Sequence, residues 1–143
     1  MYLADTVPRV IHAFSFDVER GTISDGRILA TIADVGAGPD GLTVDAGGDV
    51  WVAVFGGGRV QRYSPEGVLR QELHVPASQT TSCAFAGPGL HRLYVTTATE
   101  DWSPRERRAD PAAGLVYRFE TDAVGRAAAA YRPDSAWWKA AIG

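Results

Sequence analysis

Cysteine and lysine are nearly absent from this chain: Cys83 and Lys139 are the single examples in 143 residues. One cysteine can form no intramolecular disulfide and cannot assemble a Cys-based zinc site within one chain, so a reducing, cytoplasmic setting fits. The remaining positive charge is carried by arginine, and the formal net charge is −3. That balance leaves no basic surface to displace counterions, which excludes nucleic acid as a partner. No apolar run approaches the roughly 20 residues of a membrane span. Met1 is followed by β-prone sequence instead of the basic and then apolar segments of a secretory leader. A soluble protein with no membrane partner and no export signal is the expectation. Arginine in place of lysine, with abundant alanine and glycine, suggests a GC-rich bacterial source. Histidine is scarce too: His12, His74 and His91 are widely separated and form no zinc-ligand or triad pattern.

What the chain does have is repetition. Tyr2-Leu3-Ala4-Asp5, Trp51-Val52-Ala53-Val54 and Tyr94-Val95-Thr96-Thr97 each open a short β-prone run on an aromatic residue. Ile11, Val60 and Val116 follow in register, then Phe14, Tyr63 and Phe119, then the acidic residues Asp17, Glu66 and Asp122, where turns are expected. The central repeat predicts strands near Leu42–Val44, Val50–Phe55, Arg59–Tyr63 and Val68–Val75, with Gly-rich and Pro-rich turns between them. Four short strands of this kind describe a β-propeller blade. Cys83–Phe85, Leu93–Thr97, Leu115–Phe119 and a weak Arg126–Tyr131 would make the next blade. The first repeat lacks its innermost strand, because Tyr2 already stands where Trp51 stands. The fold expected is therefore all-β, a partial propeller of almost three four-stranded blades: 1–37 incomplete, 38–76 complete, and 77–143 last, with a rim loop over 100–113.

The segment Gly38-Pro39-Asp40-Gly41-Leu42-Thr43-Val44-Asp45-Ala46-Gly47-Gly48-Asp49-Val50-Trp51-Val52-Ala53 joins one presented carboxylate to a strand, a glycine turn and a second strand. It resembles the regucalcin/gluconolactonase (senescence marker protein) family. Met1-Tyr2-Leu3-Ala4-Asp5-Thr6 is similar to a family strand, and Thr81-Ser82-Cys83-Ala84-Phe85 with Leu93-Tyr94-Val95-Thr96-Thr97-Ala98 is similar to its penultimate strand pair. The resemblance covers nearly the whole chain but is expected to concern only the C-terminal half of the family. It implies a six-bladed propeller that hydrolyses sugar-type lactones with a divalent metal: calcium or zinc, with manganese and magnesium as further options. It also implies that Asp40 is both a metal ligand and a catalytic group. A ligating Asn in an Asn-Gly pair and a ligating Glu belong to the family as well, and neither position exists in this sequence. About three further blades encoded upstream of Met1 are therefore the expectation. An isolated chain would pair as a homodimer or lack an N-terminal half.

Each candidate also has a plainer reading. Pro39-Asp40-Gly41 is an ordinary turn tripeptide when its surroundings are set aside. Asp45 and Asp49 flank Gly47-Gly48 as a hairpin turn, without the distal Glu or flanking helices of an EF-hand. Asp17, Glu19 and Asp25 read as a solvated turn region around Gly21 and Gly26. Gly56-Gly57-Gly58-Arg59 links two strands and opens no helix, so it is a turn and not a phosphate cradle. Cys83 reads as buried, with no adjacent base to make it a nucleophile. Thr80, Thr81 and Ser82 precede their strand as Asp40 precedes its own, which makes them substrate-binding candidates, while capping and turn bonding explain them equally well. Trp102, in the 100–113 insertion, stands open between a cover over that site and part of a solvated loop with a short helix. Trp137 and Trp138 are expected to pack on a neighbouring blade.

The reading is thus a gluconolactonase-like, metal-dependent lactone hydrolase, incomplete as an isolated chain. A non-catalytic propeller binding module and an inactive gene fragment are the alternatives.

Overall fold

The computed structural model describes residues 1–129; the Arg126–Tyr131 expectation falls partly, and Trp137 and Trp138 wholly, outside them. Three antiparallel sheets follow one another along the chain. The first blade is β1 (Tyr2–Asp5), β2 (Val10–Asp17) and β3 (Thr22–Thr31); the second is β4 (Gly38–Val44), β5 (Val50–Phe55), β6 (Arg59–Tyr63) and β7 (Leu69–His74). The third is β8 (Thr80–Ala86), β9 (Arg92–Thr97) and β10 (Val116–Glu120), with the short helix α1 (Pro104–Ala109) between its last two strands. The sheets do not close on one another, so the molecule is a partial, unclosed β-propeller.

Burial explains the strand sequences. Val50-Trp51-Val52-Ala53-Val54 is a continuous apolar run because the second blade is covered on both faces, and all five residues are buried. One face meets Ile11, Ala13 and Leu29 of the first blade, and the other contributes Trp51 to a core with Cys83, Leu93 and Val95 of the third. Trp51 meets Phe85 edge-on, with ring centroids 5.6 Å apart. The first two blades also meet at a turn, where Gly67 has φ +92° and an added Cβ would lie 2.0 Å from the Leu29 carbonyl oxygen. Only glycine permits that approach.

Several expectations from the sequence need correction. Asp40 and Thr80 to Ser82 lie inside strands and not ahead of them, since β4 starts at Gly38 and β8 at Thr80. Proline and glycine suggest a turn there, but a bulge accommodates both without ending the strand. Asp25 and Gly26 likewise belong to β3, where Asp25 takes φ 52° beside a break in register. Among the described residues the third blade has three strands, and past β10 the chain makes only a single bridge, Asp45 to Gly125.

Candidate functional site

Asp40 is presented by a bulge. Pro39 pairs with Val54 and Leu42 with Val52, three steps along β4 against two along β5, so one residue is left over between them. Such an extra residue bends the strand and redirects a side chain. The bulge is braced from both sides. Thr6 donates its hydroxyl to the Pro39 carbonyl at 2.9 Å, and Gly41 sits so close to the third blade that a Cβ would fall 2.2 Å from Ser82 Oγ. The neighbouring inner strand repeats the device, because Thr80 pairs with Thr97 and Ser82 with Thr96, which leaves Thr81 unmatched.

The Asp40 carboxyl is half-buried and held above the ordinary carboxylate range. Desolvation by burial is the largest cause and the like charge of Glu100 the second, opposed by a hydrogen bond from the Gly41 backbone. Glu100 carried no assignment from the sequence, because its charge acts on Asp40 from a loop distant in the chain and no local motif signals such a pairing. Its backbone is gripped by the Gln79 side chain, which accepts from the Glu100 N–H at 2.6 Å and donates to its carbonyl at 3.0 Å. Around 410 Å³ of open groove, lined by Val7, Arg9, Val35 and Phe55 among others, adjoins the start of β4.

The other candidates separate. Thr80 is fully buried, and its hydroxyl turns back to the Ala77 carbonyl at 3.4 Å. Thr81 shares a 2.8 Å hydroxyl contact with Thr96, and Ser82 is exposed beside Gly41. Trp102 is half-buried in the rim loop, where Arg107 donates to its carbonyl. Cys83 is buried, and its thiol is pushed up to about 12, chiefly by desolvation. Such a thiol is not a nucleophile at neutral pH.

Asp45 and Asp49 lie at the far end of β4 and its hairpin, and both are buried. Arg62 fills the space between them: Nη2 lies 3.1 Å from Asp45, Nε lies 2.8 Å from Asp49, and the guanidinium stacks over Trp51 at 5.0 Å. Trp51 Nε1 donates to Asp45 at 2.9 Å. The hairpin reading of this acidic pair fits the hydrogen bonding, but its partner Arg62 was not legible from spacing. Among the described residues no group of three or more His, Cys, Asp or Glu is arranged to hold a metal ion. None of their helices is long and apolar enough to cross a membrane.

Residues 1–99 match the family model described as SMP-30/Gluconolactonase/LRE-like region. The chain belongs to this family. A regucalcin of Xenopus laevis is 37% identical over 83% of this chain and 40% of its own length. Pentonolactonase XacC of Haloferax volcanii is 35% identical over 87% of this chain and 44% of its own. Among solved structures, a calcium-binding regucalcin from Agrobacterium tumefaciens superposes with a TM-score of 0.84 at 32% identity, over 92% of this chain and 45% of its own. The chain thus spans less than half the length of these SMP-30/gluconolactonase relatives. These matches correct the expectation of a resemblance confined to the family's C-terminal half. The family model begins at residue 1 and the relatives align with most of this chain, so the likeness is to the family across nearly all of these residues.

Proposed function

We propose that this chain serves the hydrolysis of sugar-type lactones to aldonic acids in the cytoplasm, with Asp40 as the carboxylate at the reacting centre. The observation that carries the reading is the bulge in β4 at an acid of raised pKa, supported by 35% identity to a pentonolactonase. A carboxylate with a raised pKa is a stronger base. Asp40 takes the proton as water oxygen bonds to the lactone carbonyl carbon; the ring C–O bond then breaks, Asp40 returns that proton to the leaving alkoxide, and the carboxylic acid formed ionises. Thr81, Ser82 and Trp102 are proposed to contact the sugar, whereas Thr80, turned inward, supports the strand. The blade divisions 1–37, 38–76 and 77–143 are proposed as the units of this architecture.

A divalent cation is part of this proposal, supported by the calcium-binding description of the Agrobacterium relative. Calcium takes about six to eight oxygen ligands and zinc about four donors. Asp40 fits one such position, and the described residues do not complete the set. The cation would polarise the lactone carbonyl when bound; calcium, zinc, manganese and magnesium are the ions to compare.

The test is Asp40→Asn, assayed by proton release from gluconolactone with each ion present. Loss of a general base is expected to lower turnover by about 10²-fold or more; an unchanged rate refutes the assignment. A non-catalytic binding module is the second reading, favoured by the incomplete ligand set. Under it the chain binds lactone without turnover, and D40N leaves binding intact.

A further inference from the structure

Among the described residues, the rim loop at 100–113 is largely self-contained. Ser103 caps α1 in a reciprocal capping box with Glu106, and Arg107 donates to the carbonyls of Thr99 and Trp102. Two side chains from outside bond its backbone. Tyr117, on β10, reaches Ala112 at 2.5 Å, and Gln79, in the connection from β7 to β8, takes both backbone polar groups of Glu100. Gln79 is itself fixed by its own backbone, which accepts from Ala98 N–H at 2.9 Å and bridges to Phe55. Phe55 pairs with Gly38, two residues before Asp40. A continuous lateral path therefore runs from the start of β4 through Phe55 and Gln79 to the root of the rim loop.

We propose that Gln79 is the positioning residue of the rim loop: by gripping Glu100 at both backbone groups it anchors the root of that loop to the strand start that leads into the bulge presenting Asp40. This rests on the reading of Asp40 as the carboxylate of the site. The amide is suited to the task because it offers an acceptor and a donor side by side on one planar group. Glutamate at this position keeps the acceptor but loses the donor, and alanine loses both.

Limited trypsin digestion of the whole chain reads the loop directly, because Arg105, Arg107 and Arg108 are exposed on it. Gln79→Ala is expected to raise cleavage at these arginines by about tenfold, and Gln79→Glu by less, with cleavage at Arg70 unchanged. Equal rates at the loop arginines in the parent chain and both variants would overturn the proposal. If Gln79→Ala fails to fold, as circular dichroism would show, Gln79→Glu decides. A short bis-maleimide should bridge the D40C/E100C pair, and addition of Q79A should abolish the bridge; retention of the bridge overturns the proposal. Where lactone turnover is measurable, Q79A should raise KM several-fold with kcat within about twofold. An unchanged KM in a loosened loop also overturns it. Absence of turnover in the parent chain counts against the proposed function, and the cleavage and bridging measurements then still decide the role of Gln79.

Discussion

At the scale of single residues, the strongest electrostatic commitment is Arg62, which faces two buried carboxylates at one end of the second blade; its side chain is 18% exposed and that of Asp45 is 1% exposed. Removing the guanidinium leaves Asp45 without its counter-ion and Asp49 with only Arg70 at 3.5 Å, and breaking a buried pair in this way costs about 3–5 kcal/mol. Arg62→Ala is therefore expected to lower the unfolding free energy by about that amount, read as a lower urea midpoint at an unchanged m-value. Asp40 is the opposite case. Its native pKa lies above the unfolded value, so its favourable contribution is full below the unfolded pKa and is lost as pH rises through the native one. Asp40→Asn should then melt higher than the parent at pH 7, with the difference vanishing in acid below the carboxylate range. A residue that weakens the fold at working pH is what a functional carboxylate looks like thermodynamically. Cys83, buried and with its thiol near 12, should react with an aromatic disulfide reagent only as the chain unfolds. The burial of Cys83 and the hairpin character of Asp45 to Asp49 were legible because each depends on near neighbours. Arg62, Glu100 and Gln79 were not, since each acts on groups distant in sequence.

At the scale of elements, β4 and β8 are a matched pair of inner strands, each with one unmatched residue near its start. Their packing leaves no room at Gly41, where an added Cβ would lie 2.7 Å from Ser82 Cα. Backbone cannot rotate away as a flexible side-chain tip can. Gly41→Ala should therefore destabilise by about 1–3 kcal/mol in chemical denaturation, and it should also displace Asp40, so that metal or lactone binding falls more than stability alone explains. A Gly41→Ala chain with parent stability would show that the two strands are free to separate. Strand positions in the second blade followed from apolar periodicity and turn residues, and β5 and β6 fall where the sequence placed them. The starts of β4 and β8 did not follow, because a bulge and a turn use the same residues. Proline, aspartate and glycine in succession say that the backbone departs from regular geometry, and only the partner strand decides whether pairing resumes beyond them.

At the scale of the whole molecule, the two outer faces differ. On the first blade the register aligns Leu3 with His12 and His12 with Ile28, and Leu3 and Ile28 are 50% and 59% exposed. The first face also carries the His12–Asp5 pair, and on the third, Arg92 and Arg118 pair with Glu120 beside an exposed Val116, so the first face is the more apolar of the two. The apolar face is the one expected to drive self-association. Sedimentation across a dilution series should show a concentration-dependent species that Ile28→Lys weakens; a monomer at all concentrations would show that this face tolerates water. The propeller class was legible because it rests on repetition, which survives even where individual strand ends are misplaced. Connectivity adds a final consequence. Each sheet is a meander of strands consecutive in the chain, so its hairpins close short loops. The contact between Arg62 and Asp122 instead joins positions 60 residues apart, and Ala46 reaches Val124 across a longer span still. Short loops cost less entropy to close than long ones, so the second blade has the means to form before the third is fastened to it. Amide hydrogen exchange should record that order in reverse, with β10 opening through sub-global fluctuations while β5, covered on both faces, exchanges only when the whole chain unravels.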